Sequence, residues 1–186
     1  MRIEALCKRY GGQVVLDRVS FDLPAGVTCL MAPSGTGKTT LLRILLGLEM
    51  ADSGRMIDVP ERWGVMFQED RLLDRLTAME NLRFAIGPAL DEAAAQDLLA
   101  RLGLGGEGEK PVRDFSGGMK RRLSLARALL APSQALALDE PFTGLDEGNR
   151  EVCIAAIKKA AQDKPALLVT HDISDAEALG ARIINL

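Results

Sequence analysis

The run Ser34-Gly-Thr-Gly-Lys-Thr-Thr40 constrains this chain more than any other feature. It stands between an apolar stretch, Val27 to Met31, and a segment in which Leu41, Leu42, Leu45 and Leu46 recur at helical spacing. Strand, glycine-rich loop and helix in that order let backbone amides converge on a phosphate. Gly35 and Gly37 leave room for the amides, and a helix predicted over Lys38 to Leu48 turns its positive dipole end toward the same point. Lys38 then reaches the β and γ phosphates and the Thr39 hydroxyl holds Mg²⁺, with Ala32, Pro33, Ser34, Thr36 and Thr40 completing the loop. The full pattern G-x-x-x-x-G-K-[ST] has glycine where this chain has Ala32, so the match departs at its first position. A plain glycine turn with a surface lysine would need neither the strand before it nor the helix after it.

Two further units carry the same punctuation. Ala135 to Leu138 reads as a buried strand that stops at Asp139, Glu140 and Pro141. Ala166 to Thr170 reads as another, ending at His171 and followed by a short helix with Ser174 as its predicted N-cap. Buried strands with polar carboxyl ends predict an open, largely parallel α/β sheet with a ligand at that edge. The first twenty-five residues alternate like edge strands (Val14 to Leu16, Val19 to Leu23), which predicts a mixed sheet with an antiparallel part. From about Leu72 to Asp114 the pattern turns helical, with Asp91 capping a helix over Ala93 to Leu102 and Gly103 stopping it. That segment reads as a small helical insertion in a chain of one domain, residues 1–186.

The acidic pair supplies what a phosphate loop needs. Asp139 at a strand end is placed to order Mg²⁺ through water, and Glu140 beside it to accept a proton from an attacking water. Phe115-Ser-Gly-Gly-Met119 precedes a helix predicted from Lys120 to Leu130 and so forms a second possible phosphate cradle. Alone, Ser-Gly-Gly reads equally well as a plain helix cap. One nucleotide rarely needs two cradles from one subunit, so Ser116, Gly117 and Gly118 point to a nucleotide held by a second copy. Lys120, Arg121, Arg122 and Arg127 form a basic stripe that reads as a solvated or ion-paired helix face.

Composition narrows the partners. A formal net charge of −3 over 186 residues and a pI near 5.3 leave no global basic field for nucleic acid or an anionic membrane. Cys7, Cys29 and Cys153 lie far apart with no C-x-x-C, suggesting neither a disulfide framework nor zinc, which fits a reducing cytosol. No run approaches the ~18 apolar residues of a membrane span, and neither a signal peptide nor a transmembrane helix is expected.

Together these motifs resemble the ATPase subunit of an ATP-binding cassette (ABC) transporter, from about Met1 to the last residue. The phosphate loop is similar to the family's Walker A, Leu136 to Glu140 to its Walker B with the catalytic glutamate, and Phe115 to Met119 to its Leu-Ser-Gly-Gly-Gln signature with both ends replaced. The resemblance implies Tyr10 under adenine, Gln68 in a loop linking Mg²⁺ and water to the membrane partner, and Gly144-Leu-Asp146 as the D-loop. It also implies His171 as a switch meeting the γ phosphate. The implied fold is α/β: a P-loop NTPase with a mostly parallel central sheet, an antiparallel N-terminal β part and a small helical subdomain at about 72–114. The implied activity is hydrolysis of ATP with Mg²⁺ that energises a separate transmembrane permease, with two copies sandwiching ATP and a solute-binding protein acting on the permease. The expected place is cytoplasmic, on the inner face of the membrane, with no nucleic-acid partner and no C-terminal regulatory domain. Phe67-Gln-Glu-Asp-Arg-Leu-Leu73 and Leu76-Thr-Ala-Met-Glu-Asn-Leu82 resemble bacterial importers, nearest the nitrate, sulfonate and taurine group. The alternatives are a soluble ABC-type ATP switch, as in DNA repair or ribosome work, and a degraded cassette that binds ATP without turnover.

Overall fold

The computed structural model describes residues 1–32 and 35–186. In chain order the elements are β1 (Arg2–Tyr10), β2 (Gln13–Asp22), β3 (Gly26–Met31), α1 (Lys38–Leu45), β4 (Ser53–Ile57), β5 (Trp63–Met66), α2 (Ala78–Ile86) and α3 (Glu92–Leu99). There follow α4 (Gly117–Leu130), β6 (Ala135–Asp139), α5 (Glu147–Ala160), β7 (Pro165–Thr170), α6 (Ile173–Leu179) and β8 (Arg182–Asn185). Five strands form a parallel sheet in the order β5-β6-β7-β3-β8.

That sheet is covered on both faces, and strand alternation decides which residue goes where. Leu136 and Leu138 of β6, Ala166 and Leu168 of β7 and Cys29 of β3 join the core beneath α4 and α5. Their neighbours Ala137, Leu167, Val169 and Leu30 join the core beneath α1. With both faces buried, β6 has no exposed residue, so it reads as a continuous apolar run. In register, Met31 lies opposite Thr170 and Asp139 opposite Val169. The loops leaving β3, β6 and β7 therefore emerge side by side at one edge.

The N-terminal strands correct the expectation of a single mixed sheet. β1 and β2 pair antiparallel with each other, and β1 with β4, in a separate three-stranded sheet ordered β2-β1-β4. Ile3, Leu6, Leu16 and Phe21 face inward against the buried side of α1. Ile3 and Leu6 share that face despite their spacing of three because the pairing register shifts between them, with Ala5 at φ 49°.

Helix ends also differ from the sequence pattern. α1 stops at Leu45 rather than Leu48, where the chain reverses through Gly47 at φ 68°. α3 is capped by Asp91 as predicted and passes after Leu99 into a wider turn, Ala100–Leu104, in which Gly103 takes φ 69°. α4 starts at Gly117, three residues early, because the Ser116 hydroxyl accepts from the Met119 amide at 3.2 Å. α6 is capped by Asp172, which accepts from the Ser174 amide at 2.8 Å; the Ser174 hydroxyl accepts from Arg150 instead.

Candidate functional site

The phosphate loop leaves β3 and enters α1 through Gly37, at φ 95°. A Cβ there would lie 2.7 Å from the Val15 carbonyl oxygen, so both backbone angle and space demand glycine. α1 begins at Lys38, whose ammonium donates to the Ala32 carbonyl. A cavity of about 460 Å³ opens here, lined by Gly35, Gly37, Lys38, Thr39 and Thr40 together with Gln68, Asp139 and Glu140. Thr36 and Ala32 border neighbouring clefts, Thr36 beside Val15 and Ile184, Ala32 beside Met31 and His171. The readings for Pro33 and Ser34 lie outside the described residues.

Two carboxylates stand at the end of β6. Asp139 is buried, and its carboxyl is pushed above the usual range by burial first and the Glu140 charge second, partly offset by Arg121 and Lys38. Glu140 sits in the left-handed region at φ 51°. Its amide donates to the Val169 carbonyl at 2.8 Å, and its own carbonyl accepts from Arg121. Such a conformation in a non-glycine residue persists only where the surroundings hold it. His171 leaves β7 one strand away, and its Nδ1 lies 2.9 Å from the Glu140 carboxylate. The hydrogen bond to Glu140 and then its charge raise the His171 imidazole above its ordinary pKa, although the ring is 74% exposed. The register, Asp139 opposite Val169, brings the ends of β6 and β7 together, with His171 one residue beyond the position level with Glu140.

The donors facing the cavity suit a hard divalent cation: the Thr39 hydroxyl, the Gln68 amide oxygen and the Asp139 carboxylate are all oxygens. No group of three or more His, Cys, Asp or Glu side chains that could hold a metal ion stands among the described residues, so water and phosphate oxygens would complete the shell.

Other expected residues are positioned differently. Tyr10 borders the same cavity, its hydroxyl donating to the Glu49 carboxylate and the Lys8 ammonium lying 5.3 Å from its ring centre. Ser116, Gly117 and Gly118 are not among the described residues lining the cavity; Ser116 and Gly117 are exposed at the start of α4. A Cβ on Gly118 would come within 3.6 Å of the Gly144 carbonyl, which puts this turn against the loop before α5. Asp146 is exposed and caps α5 through Asn149, away from the cavity.

Of the two readings of the basic stripe on α4, the ion-paired one holds for Lys120, 3.0 Å from Asp74, and Arg121, 3.0 Å from Asp70, while the burial of Arg121 and Arg122 excludes a fully solvated face. Leu123, Leu125, Ala126 and Ala128 enclose the helix on most sides, a pattern in the sequence that leaves little of α4 for solvent. Arg121, missed as a site residue, runs to the backbone of both Gln68 and Glu140. All three cysteines are free thiols, and burial pushes Cys29 and Cys153 up to about 12, which leaves them inert core residues.

Comparison with known proteins bears on this site directly. A family model described as ABC transporter matches residues 16–143. The aliphatic sulfonates import ATP-binding protein of Paraburkholderia xenovorans is 41% identical over 98% of this chain and 74% of its own length. The thiamine import ATP-binding protein of a Chelativorans species is 34% identical over 99% of this chain and 82% of its own length. Among solved structures, a dimeric bacterial ABC transporter cassette superposes with a TM-score of 0.85 at 26% identity, covering 100% of this chain and 93% of that one.

Proposed function

The chain belongs to the ABC transporter family as an ATP-binding and ATP-hydrolysing subunit that energises transport, and from that premise we propose how its residues divide the reaction. The observation that supports the reading is that Gly35, Gly37, Lys38, Thr39 and Thr40 line one cavity together with Asp139 and Glu140. Lys38, the loop amides and the α1 N-terminus bind the β and γ phosphates, with Ala32, Pro33, Ser34, Thr36 and Thr40 as further nucleotide-binding residues. Tyr10 supports the adenine from the cavity's border. Thr39, Gln68 and Asp139 hold Mg²⁺, which when bound neutralises charge developing on the phosphate oxygens. The cation also favours the ionised form of Asp139 that burial opposes. Glu140 orients the attacking water and takes its proton, and His171 fixes the Glu140 carboxylate from outside the cavity.

Ser116, Gly117, Gly118 and Asp146 serve the nucleotide of a second copy, because they are presented on the surface rather than toward their own cavity. The partner is a transmembrane permease. Its docking place is the groove beside Gln68 lined by Phe67, Leu73 and the 75% exposed Phe84, since the loop that holds the site then also meets the membrane protein. No helix of the described residues is long and apolar enough to cross a membrane. In the manner of the import ATP-binding proteins it is similar to, the subunit works from the cytoplasmic side through the permease, with a solute-binding protein delivering cargo. We read 72–114 as the helical subdomain of a single domain. Import rather than export, and transport rather than a soluble switch, follow from the relatives' own assignments.

Glu140→Gln tests the assignment. The amide keeps shape and hydrogen bonding but removes the base, so ATP binding should persist while turnover falls ~10²-fold or more. Near-normal hydrolysis would show that Glu140 has been given the wrong role.

A further inference from the structure

Arg121 enters from the middle of α4 and is 5% exposed. Its Nη1 donates to the carbonyls of Phe67 at 3.1 Å and Gln68 at 2.8 Å and to the Asp70 carboxylate at 3.0 Å. Its Nη2 donates to the carbonyls of Asp139, at 2.6 Å, and Glu140. One planar group thus grips the carbonyls on both sides of the Gln68 α-carbon and on both sides of the Glu140 α-carbon. Only Nε lacks a partner.

We propose that Arg121 is a positioning residue for hydrolysis: it sets Gln68 and Glu140 relative to each other and makes their placement depend on where α4 sits. The inference rests on the reading above that Gln68 and Glu140 act in the reaction. Three physical arguments support it. A buried ion pair adds little net stability over an apolar side chain of similar volume, so fold stability does not account for a guanidinium here. Two rigid edges of donors are needed to reach two loops at once, which a lysine ammonium on a single point does not offer. The left-handed backbone of Glu140 must be held from outside, and Arg121 supplies the bond on its carbonyl side. Ser116 caps the same helix only five residues earlier, about 7.5 Å along the axis. A displacement of the α4 start by an opposing subunit is therefore delivered to both loops through one side chain.

The test compares Arg121→Lys, Arg121→Gln, Asp70→Asn and Glu140→Gln in the full-length chain, measuring bound ATP per chain, its Kd, and turnover per occupied site. Both Arg121 variants should keep Kd within about threefold of wild type while turnover per occupied site drops ~10- to 100-fold, the cost of misplacing reacting groups by about an ångström. Asp70→Asn removes the charge partner but leaves the four carbonyl bonds, and should stay within about threefold in turnover. A merely structural arginine would lower the number of ATP sites per chain without changing turnover per occupied site, and that result overturns the proposal. So does loss of every ATP site in both Arg121 variants, because the residue would then be holding the fold, and so does an Asp70→Asn defect as large as theirs. Normal turnover in Glu140→Gln overturns the underlying site assignment instead. An inactive Glu140→Gln beside normally active Arg121 variants overturns this inference alone.

Discussion

Gly64→Ala should show how closely the α4 helix is pressed onto the sheet that carries the site. Gly64 is buried on β5 beneath α4. A Cβ there would meet the Ala128 carbonyl oxygen at 2.2 Å and Leu136 Cδ2 at 2.8 Å, whereas ordinary contact begins at 3.4 Å. Leu136 can rotate, but the Ala128 carbonyl is helix backbone, so α4 must move away from β5 by about an ångström. Overpacking of this kind costs about 1–3 kcal/mol. An unfolding entropy of about 2.1 cal/mol/K per residue gives roughly 0.4 kcal/mol/K for this chain, so calorimetry should find the thermal midpoint lowered by about 3–8 °C. The phosphate loop lies on β3 and α1, remote from the clash, and ATP affinity should change by less than about threefold. Turnover should fall about tenfold, because α4 carries both Ser116 and Arg121. Gly148→Ala is the control, since a Cβ there meets nothing closer than Asp146 Oδ1 at 3.8 Å and should leave the midpoint level or higher. A Gly64→Ala protein melting within about 1 °C of wild type would refute the close approach on which this reasoning depends.

Two shorter predictions address the site's edges. His171 is the only histidine in the chain, so its imidazole can be followed by proton NMR without assignment: it should titrate above 6.5 in the wild type and return toward 6.5 in Glu140→Gln. Because the folded value is raised, the His171–Glu140 attraction is fully present below the unfolded pKa and lost as pH rises through the folded one; wild-type titration at or below 6.5 would contradict the pairing. Lys38→Ala and Ser116→Arg should each abolish turnover in homodimers, yet mixing them should restore part of it. A heterodimer keeps one composite site intact, and Ser116→Arg protein fully active as a monomer by light scattering would remove the need for a second copy.

What the sequence determined by itself was local in origin. The phosphate loop, the strand ending in Asp139 and Glu140, the Asp91 cap and the helix after Ser-Gly-Gly are each written in a few consecutive residues, through glycine conformations, apolar periodicity and side-chain caps. Short continuous apolar runs likewise mark the buried strands β3, β6 and β7. Tertiary structure decided what depends on distant partners. β1 escaped notice because a register shift breaks its alternation between Ile3 and Leu6, and that irregularity exists only in pairing, with β2 and again with β4 between Glu4 and Cys7. Whether β1, β2 and β4 join the main sheet or form their own depends on the packing of their apolar face against α1. The contact of His171 with Glu140 depends on the pairing of β6 with β7, which brings their ends together, and the burial of Arg121 on the docking of α4 across loops more than fifty residues earlier in the chain. A charged side chain reads as solvated or ion-paired until its acceptors are known, and here all of them but the Asp70 carboxylate are backbone carbonyls, which every residue carries and no sequence pattern distinguishes.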